Sequence, residues 1–179
     1  EVHARRHVHE RLVNRLTRRA HDVHRTGLTC EVVDLVALGD DRSAVALEGA
    51  VGVEEGALPE GAHLFKPHNI ITFDDYEKGL AYAKQQNKPV LLDFTGWSCV
   101  NCRRMEQNVW PKPQVLEILK NEVVLISLYV DDKRPLPESE VKPSQIREGK
   151  LIKTIGQKWS EFQTLKYKAN TQPFYFLYC

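Results

Sequence analysis

Cys99 and Cys102 stand two residues apart in T-G-W-S-C-V-N-C, residues 95–102. The chain's other cysteines, Cys30 and Cys179, are single. Two thiols spaced C-x-x-C lie about one helical turn apart, which permits a small ring with Cα atoms about 5.5 Å from each other. Where a helix begins at such a pair, its unpaired N–H groups and the positive end of its macrodipole stabilise a thiolate on the first cysteine. Cys99 is then the exposed nucleophile and Cys102, one turn in, the resolving thiol. A partner would be held on Cys99 as a mixed disulfide and released when Cys102 attacks that bond. Two other readings of the spacing stay open. A C-x-x-C pair is also half of a zinc site, which would need a second pair or suitably spaced histidines. Free cysteine is also a common buried and inert core residue.

The redox reading requires a strand that delivers the turn and a helix that opens at the pair. Residues 89–95, P-V-L-L-D-F-T, form a nearly continuous apolar run bounded by Pro and Gly, as a buried parallel strand does. Residues 99–109 predict the helix, ended by Pro111 and Pro113, and residues 113–120 a second helical piece. Ahead of the strand, residues 73–87 predict a helix capped by Asp74 or Asp75, with Tyr76, Leu80 and Ala83 along one face. Residues 122–130, E-V-V-L-I-S-L-Y-V, predict another buried strand, and the polar, Pro-bearing residues 132–150 a loop or insertion. Residues 154–168 predict a helix with Ile155, Trp159, Phe162 and Leu165 on one face, before a last strand over residues 174–178. This alternation is an α/β order with at least one βαβ crossover.

The remaining sequence carries less chemistry. Among 179 residues the net charge is +1, so no global charge points to nucleic acid or to a membrane surface. No apolar run approaches the roughly 20 residues of a membrane span, and the Arg/His-rich start lacks the apolar segment of a signal peptide. Glu1 in place of Met suggests a processed or excised chain. Four cysteines leave the redox compartment undecided. No lysine precedes Lys66 and no histidine follows His68, so basic-residue usage changes near residue 65. Residues 1–63 are therefore read as an atypical segment of unknown fold, from a fusion or a mispredicted start, and residues 64–179 as the structured domain. The first segment predicts a basic helix with Val8, Leu12 and Leu16 on one side, then weak strands at residues 31–38 and 43–47. His3, His7, His9, His21 and His24 invite a metal reading. No carboxylate or cysteine is spaced to complete such a site, and a solvated basic face explains them.

V-L-L-D-F-T-G-W-S-C-V-N-C and T-Q-P-F at residues 171–174 resemble the active-site strand and the cis-proline loop of thioredoxin-fold proteins. More narrowly, F-T-G-W-S-C-V-N-C-R-R-M-E, then N-V-W, then L-I-S-L-Y-V-D-D, is similar to the C-terminal periplasmic domain of DsbD-type thiol:disulfide interchange (cytochrome c biogenesis) proteins. The resemblance runs from about residue 64 to 178. It implies a three-layer α/β/α domain with a central mixed sheet. It makes Cys99 the nucleophile and Cys102 the resolving cysteine. Pro173 becomes a cis-proline, with Gln172 offering backbone hydrogen bonds to a bound chain. Asp93 becomes a buried carboxylate that exchanges a proton with Cys102, and Trp97 a shield beside the pair. Ser127 falls where thioredoxins often carry a lysine that pairs with that carboxylate. The family continues past the cis-proline strand, so the resemblance also implies a domain incomplete at its C-terminus, with residues 174–178 as an unpaired edge.

The activity these readings imply is protein-disulfide reduction by dithiol–disulfide exchange. It would use no metal or organic cofactor beyond the Cys99–Cys102 disulfide, and its partners would be protein thiols and disulfides. The resemblance adds a transmembrane electron-donor domain and the periplasmic side of a bacterial inner membrane. The rival from another class is a non-catalytic or truncated thioredoxin-like module that binds proteins without turnover. A small metal chaperone is a third reading, distinguished by stoichiometric zinc or copper.

Overall fold

β4 (Val90–Thr95) is buried along its whole length because it lies at the centre of the sheet with a neighbour on each side and a layer of side chains on each face. The computed structural model describes residues 58–178 and the backbone of Val32–Val33. The elements run β1 (Val32–Val33), β2 (Ala62–Phe65), β3 (Ile70–Phe73), α1 (Tyr76–Gln86), β4, α2 (Val100–Asn108), α3 (Pro113–Glu117), β5 (Val124–Tyr129), β6 (Lys142–Pro143), β7 (Leu151–Ile152), α4 (Ile155–Tyr167) and β8 (Phe174–Tyr178). Six strands form one mixed sheet in the order β1-β8-β4-β5-β3-β2. β4 runs parallel to β5 and antiparallel to β8, and β6 and β7 make a separate small hairpin.

Strand periodicity divides the core into two halves. Leu91 and Leu125 point with Tyr175 and Leu177 into a cluster closed by Met105, Val109, Trp110, Ile118 and Leu119, the side covered by α2 and α3. Val90, Leu92, Phe94, Val124, Ile126 and Leu128 point the other way, onto Ala83 of α1 and Trp159 of α4. Successive side chains of a strand face opposite sides, so Asp93 and Ser127 share the face of Leu91 and Leu125, toward α2. Helices on both faces of a mixed sheet make the three-layer α/β/α arrangement that the sequence implied.

The helix expectations hold to within a few residues. Asp75 caps α1 by accepting the Lys78 N–H at 3.1 Å, and Asn87 ends it in the left-handed conformation at φ 51°. Thr154 caps α4 in the same way. Four expectations change. The hairpin of β2 and β3 was not anticipated. β2 begins at Ala62, two residues ahead of the expected boundary. The face foreseen on α4 is only partly right, because Glu161 and Gln163 are buried there while Leu165 stands outside the core cluster. Finally, β8 is not an unpaired edge: Val32 pairs with Phe176 and Val33 with Tyr175. The expected helix before residue 25, its histidines, the strand at residues 43–47, the rest of residues 31–38, Cys30 and Cys179 lie outside the described residues.

Candidate functional site

β4 ends at Thr95, and Gly96, Trp97 and Ser98 turn the chain into α2. Asp131, one residue beyond Val130 on the exit from β5, holds this turn. Its Oδ1 accepts the Trp97 N–H at 2.8 Å and its Oδ2 the Ser98 N–H at 2.9 Å. The carboxylate lies so close over Gly96 that a Cβ there would stand 3.0 Å from Oδ2, which explains the glycine. Parallel pairing of Thr95 with Tyr129 sends both strands out at one edge of the sheet and brings the two loops together. Trp97 stacks on Tyr129 with ring centroids 3.9 Å apart and planes 13° from parallel.

Cys99 is the N-cap residue of α2, and its Sγ accepts the Cys102 N–H at 3.1 Å. A disulfide joins Cys99 to Cys102, with Cα atoms 5.3 Å apart. The pair is asymmetric. Cys99 is half-buried, whereas Cys102 is only 1% exposed. The helix N-terminus therefore meets the more accessible cysteine, and the buried cysteine lies one turn in.

A cluster of buried ionisable groups lies on the α2 side of the sheet. Asp93 is buried; its Oδ2 accepts the Ser127 hydroxyl at 3.3 Å, and its Oδ1 has no protein partner. Ser127 stands opposite Asp93 in the β4–β5 register, so a hydroxyl occupies the position where a lysine would pair with it. Burial raises the Asp93 carboxyl to about 8, the nearby Glu106 adds to the rise, and the Ser127 bond and the Arg103 charge oppose it. Glu106 on α2 is likewise buried; desolvation raises it to about 7 against the pull of Arg103. The Arg103 guanidinium pairs with Glu106 Oε1 at 2.7 Å and donates to Thr95 Oγ1 at 3.3 Å, tying α2 to the end of β4.

The loop before β8 completes the site. The Gln172–Pro173 peptide is cis. Gln163 of α4, wholly buried, donates from Nε2 to the Thr171 carbonyl at 3.0 Å and accepts the Gln172 side-chain amide at 2.9 Å. A buried amide is costly unless both ends are bonded, so these two contacts fix the loop against α4. Gln172, Cys99, Ser98, Asn101 and Asp131 border one open pocket of about 400 Å³. Trp97 and Val100 stand exposed beside Cys99, at 59% and 65%.

Of the residues the sequence singled out, Cys99 and Gln172 line the pocket, Trp97 stands exposed two residues before Cys99, and Cys102, Asp93 and Pro173 are buried. Glu106, Asp131 and Gln163 were not foreseen. Glu106 had a signal, since four residues after Cys102 it shares that helix face. Asp131 had one in the parallel crossover, which places the loops after β4 and β5 side by side. Gln163 had none. Among the described residues no group of three or more His, Cys, Asp or Glu could hold a metal ion, and no helix is long and apolar enough to cross a membrane.

Residues 71–150 match a family model described as thioredoxin-like. That match, the mixed sheet with helices on both faces and the bonded cysteines agree on a thioredoxin-like domain. Over 54 residues the chain is 37% identical to the "Thiol:disulfide interchange protein DsbD" of Pseudoalteromonas atlantica. That stretch is 30% of this chain and only 9% of that protein's length. Family, fold and a pair at disulfide distance together support thiol–disulfide oxidoreductase chemistry in general.

Proposed function

We propose that this domain passes electrons to partner proteins by dithiol–disulfide exchange, with Cys99 as attacking thiol and Cys102 as resolving thiol. The observation that carries the reading is the asymmetry of the pair, one cysteine half-buried at a helix cap and the other 1% exposed. In the reduced domain the Cys99 thiolate attacks a partner disulfide, and one partner sulfur leaves as thiolate. Cys102 then loses its proton, attacks Cys99 and expels the second partner thiol. Asp93 is the proton acceptor for Cys102, and Glu106 keeps that carboxyl easily protonated by its proximity. Trp97, Gln172 and Pro173 border the partner chain. The redox group is the cysteine pair itself, so the reaction calls for no metal or organic cofactor.

The finer setting is our proposal from the sequence resemblance, and the DsbD relative, a thiol:disulfide interchange protein by name, supports it. In that setting the domain is the periplasmic reductase of a membrane system. It is fed by a transmembrane donor domain and passes electrons on to periplasmic acceptors, including the cytochrome c maturation route. The redox domain is read as residues 64–179, with Val32–Val33 of the preceding segment adding a strand to its sheet.

Insulin reduction in the presence of dithiothreitol tests the chemistry. Turnover above the dithiothreitol background, abolished in Cys99→Ser, is the expected result. Cys102→Ser should accumulate a mixed disulfide visible on a non-reducing gel. A rate equal to background for the unmodified chain would instead support a binding module without turnover.

A further inference from the structure

The pocket beside Cys99 has one acidic side chain in its lining, Asp131, and no Lys, Arg or His. The Asp131 carboxylate is oriented by neutral donors, the N–H groups of Trp97 and Ser98 at 2.8 and 2.9 Å. No ion pair joins it to a described lysine or arginine. Each carboxylate oxygen has a second lone pair for a further donor. The indole of Trp97 stacks on Tyr129 and remains 59% exposed, a surface on which a cation gains from the ring quadrupole.

We propose that Asp131 selects substrates by charge: the site takes disulfides that carry a Lys, Arg or other cationic group next to the reacting sulfur, and disfavours anionic ones. This inference rests on the dithiol–disulfide reading above. The cation lies against Asp131 while the Cys99 thiolate attacks the neighbouring sulfur. The substrate S–S bond breaks, one thiolate leaves and takes a proton from water, and the other half stays bonded to Cys99. Deprotonated Cys102 then forms the Cys99–Cys102 bond and expels the second thiolate. Two electrons pass from the domain dithiol to the substrate disulfide, and no other reductant is needed for a single turnover.

The test mixes the pre-reduced full chain with three disulfides of similar size: cystamine (cationic), bis(2-hydroxyethyl) disulfide (neutral) and 3,3′-dithiodipropionate (anionic). Acid quench and thiol alkylation give each rate, divided by the rate of the same disulfide with free 2-mercaptoethanol. At low salt the cationic rate should exceed the anionic one about tenfold, and the ratio should fall toward one as salt screens the contact. Asp131→Asn, which removes the charge and one of the two acceptor oxygens, should bring the ratio to within about twofold at low salt. A ratio near one at low salt overturns the proposal, as does a ratio unchanged in Asp131→Asn. If that variant does not fold, a salt-insensitive ratio in the unmodified chain overturns it. Absence of any reaction with the neutral disulfide locates the failure in the redox reading, and the charge proposal falls with it.

Discussion

Asp93 and Glu106 show how a single side chain's surroundings decide its chemistry. Both are carboxyls inside the α2 side of the core, and burial favours their neutral forms. A carboxyl held near 8 accepts a proton from a thiol more readily than an ordinary one does, and releases it again near neutral pH. Asp93→Asn should leave the attack by Cys99 intact and slow the release of the mixed disulfide by about ten- to a hundredfold. Rapid quenching with a small disulfide separates the two steps; unchanged release would exclude Asp93 as the proton acceptor. At this scale the site was largely legible. The spacing of Cys99 and Cys102 at a helix start singled out the pair, and the resemblance singled out Asp93, which the structure buries on the same strand that leads to them. Asp131 and Gln163 act across the fold, through bonds to Trp97, Ser98, Thr171 and Gln172. No local pattern in the chain announces such contacts.

Among the elements, α4 links the site to the opposite layer. Its first turn packs so tightly that a Cβ on Gly156 would stand 2.6 Å from both the Val130 carbonyl and the Asp132 N–H. Those atoms are backbone and cannot give way cheaply, so Gly156→Ala should destabilise the fold by about 2–3 kcal/mol, measured by urea unfolding. A loss below about 0.5 kcal/mol would mean that the helix shifts without strain. Further along, Gln163→Leu removes both bonds to the cis-proline loop. It should cost about 2–3 kcal/mol and reduce exchange with a protein substrate more than with a small disulfide. Equal reduction for the two would deny the loop a role in holding a partner chain. The helices were legible because their caps and ends are written in single residues: Asp75, Asn87, Thr154. The β2–β3 hairpin was not. Its strands are four residues each, and a turn containing a cis Lys66–Pro67 peptide separates them. The α4 face misled because apolar spacing cannot reveal a buried Glu161 or Gln163. Each is held by polar partners: Glu161 by the Ser144 hydroxyl and the Gln145 N–H, Gln163 by the loop.

At the scale of the whole molecule the buried carboxyls make stability depend on pH in an unusual direction. Asp93 rises from 3.8 to about 8 and Glu106 from 4.5 to about 7 on folding, so across that interval the folded chain binds more protons than the unfolded one. Stability therefore falls as pH rises from about 4 to 8, with a slope for Asp93 approaching about 1.4 kcal/mol per pH unit. Asp132 works in the opposite sense: its hydrogen bonds to Arg134 lower it, so its contribution is lost in acid. Urea midpoints should therefore peak near pH 4 and decline toward pH 8, and Asp93→Asn should flatten the decline. A midpoint that rises steadily to pH 8 would contradict the burial of an ionisable Asp93. The α/β class was legible because the order of elements and the two buried strands dictate it, whereas the three-layer arrangement was what the resemblance implied. The pairing of Val32–Val33 with β8 was not, because sheet neighbours distant in sequence leave no periodic signal.

The central claim is that Cys99 and Cys102 are unequal members of one reversible redox couple. Timed alkylation of the reduced full chain with iodoacetamide, resolved by peptide mass, tests it most directly. The account predicts modification of Cys99 at least about tenfold faster than Cys102, and loss of both modifications once the pair is oxidised. Equal rates, a faster Cys102, or cysteines that stay fully reactive after oxidation would contradict it.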